Sequence, residues 1–501
     1  MIDHAGSDRI RITTRRRPAS IPRVLVDFSE MKVRILHHQV VQKHVRTRLP
    51  FKFGVQVLRA VPLAELRLEV ETTDGRREIG RGSDLLVPKW FEKNPDTTPE
   101  EDSTALATSI ERAVGIASAA TDAAGPHPVF DIAEITRFEQ VGSRDHRDAD
   151  VLVRGFGVAM VERALIDAVC RLASCSFHEA VTGDLLGFRS NRLIAETAGW
   201  SPAALPSPAT SIAVRHTVGM LDALSDDEVP ASERVEDGLP QSLEAVVAAY
   251  GVRRFKVKIG DDHAANAARL RAIATVVGDR VEGEAVFTLD GNEQCEDLEG
   301  LAGMLEDLGR DSATAPLIER LALVEQPLPR RDTFDESRRA GIARVGRVAP
   351  VVIDEADADR DAFRRAIDLG YAGVSVKACK GVFRALANRG LVEIRRNAGD
   401  GRCFQSGEDL TNLGSIPLQQ DLALQATIGV PDVERNGHHY FRGLDHLSET
   451  VSSGLADRLP GLYATSDGLT RLRVDEGRLD LRGVVDGNGF GGFLGSIDST
   501  D

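Results

Sequence analysis

Between Phe255 and Gly407 a short apolar run recurs five times, and each run closes on a residue that can hold a metal or move a proton. In order these are Phe255-Lys256-Val257-Lys258, Phe287-Thr288-Leu289-Asp290-Gly291-Asn292, Leu323-Val324-Glu325-Gln326-Pro327, Val351-Val352-Ile353-Asp354-Glu355 and Val374-Ser375-Val376-Lys377. From Lys258 through Asp290, Glu325 and Asp354 to Lys377 the intervals are 32, 35, 29 and 23 residues. One strand and one helix fill such an interval, as in a (β/α)8 barrel, which spends about 250 residues on eight units. The pattern therefore predicts a barrel whose marked residues stand at the C-terminal ends of successive strands, where barrels carry their chemistry.

The pattern before this stretch is different. Lys32 to Val41 and Leu66 to Val70 read as strands, with a turn at Thr73-Asp74-Gly75. Thr98-Pro99-Glu100-Glu101 starts a helix that stops at Gly125-Pro126, and a second helix spans Val151 to Leu172. Strands followed by helices, without alternation, predict an α+β domain. Alternation begins after the proline-rich link from Ser201 to Pro208. Its first strand is placed at Ile212–His216, its helices include Asp261–Val277 and Leu298–Leu308, and its last strands fall at Arg402–Gln405 and Leu422–Ala426. The tail, through Leu472-Arg473-Val474 and Gly487 to Gly491, is too strand-like and glycine-rich for a further barrel helix. The resulting division is a basic arm over 1–22, an α+β capping domain over 23–187, a barrel over 188–454 and a tail over 455–501.

Composition narrows the class. With 501 residues, 42% of them hydrophobic, the chain can bury a large core in two domains. No run of about 18 apolar residues predicts a membrane span, and no apolar signal core opens the chain, so a cytoplasmic location is expected. A net charge of −15 disfavours nucleic acid as a partner. The arm from Arg9 to Arg17 is the exception, and it reads as a solvated or interface-ordered segment. Cys170, Cys175, Cys295, Cys379 and Cys403 show no Cys-x-x-Cys spacing, so they are expected as buried free thiols rather than zinc ligands or disulfides.

Three acids on neighbouring strands, flanked by lysines, repel one another unless a cation sits among them. A hard divalent ion with oxygen ligands answers this, Mg2+ first and Mn2+ as the alternative. The set Lys256-x-Lys258, Asp290-x-Asn292, Glu325-Gln326-Pro327, Asp354-Glu355 and Lys377 with Lys380-Gly381 resembles the enolase superfamily, in its mandelate racemase/muconate lactonizing subgroup. The likeness extends to Leu49-Pro50-Phe51-Lys52-Phe53-Gly54 and to Ala164-Leu165-Ile166-Asp167-Ala168. It implies a (β/α)7β barrel with an α+β cap completed by the tail, and a small carboxylate substrate that loses its α-proton. It also implies a homo-oligomer.

In that frame Asp290, Glu325 and Asp354 are the expected ligands. Glu355 rivals Asp354, because adjacent strand residues face opposite ways and only one can look inward. Lys258 is the expected base, its pKa lowered by Lys256 on the same face, and Lys377 is to stand across the substrate. Asn292 and Gln326 read as substrate-side donors, supports of the ligands or loop caps. Less direct candidates are His216, Ser406 and Glu408 beside the seventh strand, and Asp432 and Glu434, with His438-His439, after the eighth, where the dipeptide-epimerase branch holds an ammonium group. Phe51, Lys52 and Phe53, with the segment Gly80 to Asp84, correspond to the loops expected to close over the barrel mouth. A lysine on each face favours racemisation or epimerisation. Cycloisomerisation or elimination is the alternative, and a non-catalytic scaffold is the reading from another class.

Overall fold

A computed structural model describes residues 30–54, 56–278, 281 and 285–497. The basic arm lies outside the described residues. The chain opens with two long antiparallel strands, Lys32–Phe53 and Gln56–Thr72, followed by Arg77–Leu85. Three helices pack on this sheet: Pro99–Ala124, Val129–Gln140 and Val151–Leu172. The first starts as its sequence dictates. Thr98 accepts from the Glu101 amide at 3.2 Å, and Glu101 accepts from the Thr98 amide at 2.7 Å. Such a capping box is worth about 1 kcal/mol, and Gly125 ends the helix at a φ of 80°.

Eight parallel strands then close into a barrel: Ser211–Val218, Arg254–Lys258, Val286–Asp290, Leu321–Glu325, Val351–Ile353, Gly373–Val376, Phe404–Gly407 and Asp432–Arg435. The eighth pairs back with the first, Val433 opposite Val214, and helices lie between successive strands. Eight strands and seven intervening helical connections make the (β/α)7β arrangement. The expected eighth strand at Leu422–Ala426 is wrong. Those residues lie in the helix Ile416–Ile428, all thirteen of whose residues are buried. A helix buried on every side has no exposed polar face, and so no 3.6-residue stripe, to separate it from a buried strand. Asp432 and Glu434 consequently lie on the eighth strand and not after it.

The segment Gly80 to Asp84 is also not a loop over the barrel mouth. It belongs to the strand Arg77–Leu85, which presses on the helix Val151–Leu172. A β-carbon at Gly80 would lie 1.9 Å from the Ala164 carbonyl oxygen, and one at Gly82 would lie 2.7 Å from that of Met160. Asp84 is buried and pairs with Arg163 at 2.6 Å, while Arg163 also donates to Gln420 of the barrel at 2.8 Å. The tail crosses the same seam. Its Phe490 amide donates to Asp167 at 3.0 Å, its Ile497 amide donates to Glu65 at 2.9 Å, and its strand Arg478–Asp480 pairs with the first barrel strand.

The close approach at Gly80 makes a stability prediction. Gly80→Ala forces strand and helix apart and costs about 1–3 kcal/mol. Urea unfolding is expected to show a lowered midpoint, and an unchanged midpoint would contradict the contact.

Candidate active site

Register sets the level of the key side chains. Lys258 lies directly opposite Asp290, and Asp290 directly opposite Glu325, so three functional residues end neighbouring strands in one row. Lys256 stands one pleat below on the same face. Its ammonium lies 2.7 Å from Glu325, 2.7 Å from Glu408, 2.8 Å from Glu434 and 3.1 Å from Asp290. Burial alone would push its pKa down, but these carboxylates outweigh burial and hold it well above the ordinary lysine range. Lys256, expected as the electrostatic neighbour of the base, is the counter-charge of the acids.

The other lysines are spoken for in the same way. Lys258 bonds Asp290 at 2.5 Å, and Lys377 bonds Asp354 at 2.5 Å. Asp354 also accepts from Ser375 and, at 3.3 Å, from Lys380. Lys380 is buried and bonds both Asp354 and Asp357. Burial opposes ionisation of Asp354, yet Lys377 and Lys380 hold its carboxyl well below the usual range. Glu355, by contrast, is pushed up to about 7, first by burial and then by Asp354.

The fifth strand ends at Ile353, so the alternation argument that set Asp354 against Glu355 does not apply. Gln326 explains the turn that follows. Its Oε1 accepts from the amides of Asp354 at 2.8 Å and Ala356 at 3.2 Å, while its Nε2 donates to the Leu328 carbonyl and to Thr333. Gln326 is thus a bracket for the acid-bearing turn and does not reach the cavity. Asp354 leans toward the lysines, and Glu355 toward Asn292, whose Nδ2 lies 3.3 Å away.

A narrow cavity, with only about 20 Å3 of open space, is lined by Lys258, Asn292, Lys377, Glu434, Phe51 and Phe53, with Val87, Trp90, Asp409, Leu410, Thr411 and Asn436. Phe51 and Phe53 point inward and Lys52, between them, is partly exposed on the other face. Phe51 stacks on Tyr440 with centroids 4.1 Å apart. Arg48, just ahead of these aromatics, is clamped by Asp237 at 2.5 Å and donates to the His439 carbonyl at 2.9 Å. The indole of Trp90 lies 4.5 Å from the Lys377 ammonium.

Several expected residues lie elsewhere. Ser406 donates to Glu408 at 2.5 Å beneath the cavity, where Arg215 also holds Glu408, at 2.5 Å. Asp432 pairs with Arg215 at 3.0 Å and Arg254 at 3.1 Å, and Glu434 takes Lys256 and Thr217, so this acid pair is already neutralised and offers no free site for a substrate ammonium. Sequence reasoning missed Arg215, though a lone arginine within Ile-Ala-Val-Arg-His-Thr-Val demands a buried acid. It also missed Trp90, one of two tryptophans in the chain. Thr411 and Asn436 carried no signal.

The donor set fits a hard cation. Oε1 of Glu325, Oε2 of Glu355 and Oδ1 of Asn292 accept no hydrogen bond although buried, and Oε2 of Glu325 meets only the Lys256 ammonium. Around Lys256, four acids (Asp290, Glu325, Glu408, Glu434) meet three cations (Lys256, Lys258, Arg215), which leaves one negative charge in excess. Glu325 shows it: burial, then Asp290 and Glu408, push its carboxyl well above the usual range. Among the described residues no three acids, histidines or cysteines already form a metal-binding geometry, because lysines hold Asp290 and Asp354.

Comparison with known proteins finds similar chains. Residues 239–393 match the family described as enolase C-terminal domain-like. An enolase from Bradyrhizobium, solved with magnesium and mandelic acid, is 16% identical with a TM-score of 0.56, over 92% of this chain and 96% of that one. A muconate lactonizing enzyme from Pseudomonas fluorescens, bound to muconolactone, is 17% identical with a TM-score of 0.55, over 93% and 97%. A dipeptide epimerase from Enterococcus faecalis, with Mg and L-Leu-L-Tyr, is 16% identical with a TM-score of 0.50, over 81% and 90%. No curated protein matches the sequence. The family model thus matches the barrel portion over residues 239–393, and the solved structures share this chain's fold, a barrel with an α+β cap.

His216 does not reach the cavity. Its ring packs on those of His438 and His439, at centroid distances of 5.4 and 5.1 Å. Burial keeps all three imidazoles neutral, and His438 is lowered to about 4. A depressed folded-state pKa means that stability is intact above the unfolded value of about 6.5 and is lost as pH falls through the folded value. Between about pH 7 and pH 5 the wild type is expected to lose stability more steeply than His438→Gln, by on the order of 1 kcal/mol. Parallel unfolding curves for the two proteins would count against this.

Proposed function

We propose that the protein is an enzyme that removes the proton alpha to the carboxylate of a small substrate and returns one, acting as a racemase or epimerase. The observation that carries this is the opposition of two lysines across one cavity. Lys258 ends the second strand and Lys377 follows the sixth, half-way round a closed eight-stranded barrel, and both open into the same space. A proton removed on one side can then be replaced from the other, which inverts the carbon. Each lysine has an acid beside it, so whichever accepts a proton gains a charge that its neighbour stabilises.

Asp290, Glu325 and Asp354 would hold the divalent cation, with Glu355 as the reserve oxygen donor beside Asp354. Bound there, Mg2+ would supply Lewis-acid stabilisation to a carboxylate that gains charge as its proton leaves. Lys256 keeps the lower acids compensated from within the barrel. Phe51, Phe53 and Trp90 roof the cavity and exclude water. The cap over 23–187 thus furnishes the roof and the barrel over 188–454 the chemistry. The tightness of the roof favours a second reading, a barrel kept as a scaffold, since so narrow a cavity admits substrate only if the aromatics move.

Two measurements decide between them. Equilibrium binding of Mg2+ is expected in the wild type and weakened at least about tenfold in Asp290→Ala or Glu325→Ala, since residues that only support a ligand already cost that much. Unchanged binding in both variants would rule out these ligands. In heavy water, a panel of α-substituted carboxylates is expected to show exchange of the α-proton. Lys258→Ala and Lys377→Ala should each lose exchange from one configuration by about 100-fold or more and keep it from the other. No exchange across the panel would support the scaffold; loss of exchange from both configurations in each variant, with a dehydrated or cyclised product, would make the enzyme a lyase or cycloisomerase.

A further inference from the structure

A second, smaller cavity lies at the seam between cap and barrel, away from the roof. It is lined by Glu134 and Arg137 of the helix Val129–Gln140, by Glu162 of the helix Val151–Leu172, and by Arg360, Lys380 and Arg384 of the barrel. Its charges do not balance. Arg360 pairs with Glu134 at 2.6 Å, and the Lys380 ammonium is turned away to Asp354, Asp357 and Ser375. That leaves Arg137 and Arg384 with Glu162. The Glu162 carboxylate accepts through one oxygen from the backbone amides of Val382 at 2.8 Å and Phe383 at 3.4 Å and offsets the Arg137 charge, so one guanidinium charge stays in excess. Arg384 is only 8% exposed, yet its Nε and Nη1 have no acceptor, and its one hydrogen bond runs from Nη2 to the Lys380 carbonyl. Arg137, half-buried, donates weakly to the Ala358 carbonyl at 3.4 Å and to no other acceptor among the described residues. Burial and then the Arg384 guanidinium push Arg137 down to about 10, as expected of two like charges facing one another.

Two guanidinium groups at a buried seam, one with unpartnered N–H groups, call for an anion, because unpaired buried charge and unmade hydrogen bonds are both costly. Its size follows from the cavity, whose open space is about 10 Å3. That is about the least that takes one water. Phosphate and sulfate are too large. We propose that the seam holds a monatomic anion, chloride, between Arg384 and Arg137. Since Arg384 also holds the Lys380 carbonyl, the ion ties a cap helix to the turn that follows Lys377. The site does not depend on the proposed reaction.

The test is thermal unfolding of the full-length protein in sodium chloride and in sodium gluconate at equal ionic strength. Chloride is expected to raise the wild-type midpoint by about 2 °C, a shift set by the ion's affinity for the folded state. Arg384→Gln should lose the difference, and Arg402→Gln, at an exposed surface site, should keep it. Equal wild-type midpoints in the two salts, or a difference that persists in Arg384→Gln, would overturn the proposal. Should Arg384→Gln fail to fold, wild-type crystals soaked in bromide decide. An anomalous peak within hydrogen-bonding distance of Arg384 Nε supports the site, and a water there without anomalous signal refutes it.

Discussion

Asp290, Glu325, Glu408 and Glu434 all come within 2.7–3.1 Å of one ammonium, that of Lys256, in the interior of the barrel. Taking one such charge out of water costs several kcal/mol, and the cost is offset only when each ion meets opposite charge and satisfied hydrogen bonds. The structure meets this condition by layers. Arg215 and Ser406 hold Glu408 from below, Thr217 holds Glu434 from the side, and Lys258 draws Asp290 upward. Removing any one cation would leave an uncompensated buried carboxylate, so the site and the stability of the barrel rest on the same contacts.

A separate set of buried bonds fixes the cap on the barrel. Arg163 of the cap reaches both Asp84 of its own sheet and Gln420 of the barrel, and the tail pins Asp167 and Glu65 of the cap. These buried bonds hold the base of the cap. The strand end that carries Phe51 and Phe53 is held separately, by Arg48 on Asp237 and by the stacking of Phe51 on Tyr440, whose hydroxyl bonds Asp222 at 2.6 Å. Both anchors belong to residues 219–242 and 437–440, the loops after the first and eighth strands. Movement of the roof must therefore involve those loops, while the base of the cap stays in place.

Much of this was legible in the sequence because strand ends are punctuated. An apolar run that stops on Lys, Asp or Glu at intervals near thirty residues fixes both the barrel and the level of its charged row, and Lys258, Asp290 and Glu325 do stand level. Helix starts such as Thr98-Pro99 were legible because the chemistry of the cap is local. What failed was whatever depends on distant packing. The Leu422–Ala426 run belongs to a helix buried on all sides, and Gly80 to Asp84 looks like a loop until the helix that excludes a β-carbon is known. Trp90, Thr411 and Asn436 enter the site from connecting segments, whose direction no periodicity encodes.

The rivalry of Asp354 and Glu355 shows where such reasoning reaches its edge. Alternation holds while a strand continues, but here the last residue of the strand is Ile353, and the next three residues curl around one side-chain oxygen of Gln326. A curl of that kind lets neighbouring side chains leave on related paths, so both acids stay buried near the row instead of one facing out. Their environments then separate them. Asp354, between Lys377 and Lys380, is held ionised, whereas Glu355 has only Asn292 as a close donor and is raised to about 7. An acid that stays ionised beside lysines keeps its charge available to a cation that competes with them. Two adjacent carboxyls on one turn thus differ in how firmly each holds its charge, because only one of them has ammonium groups beside it.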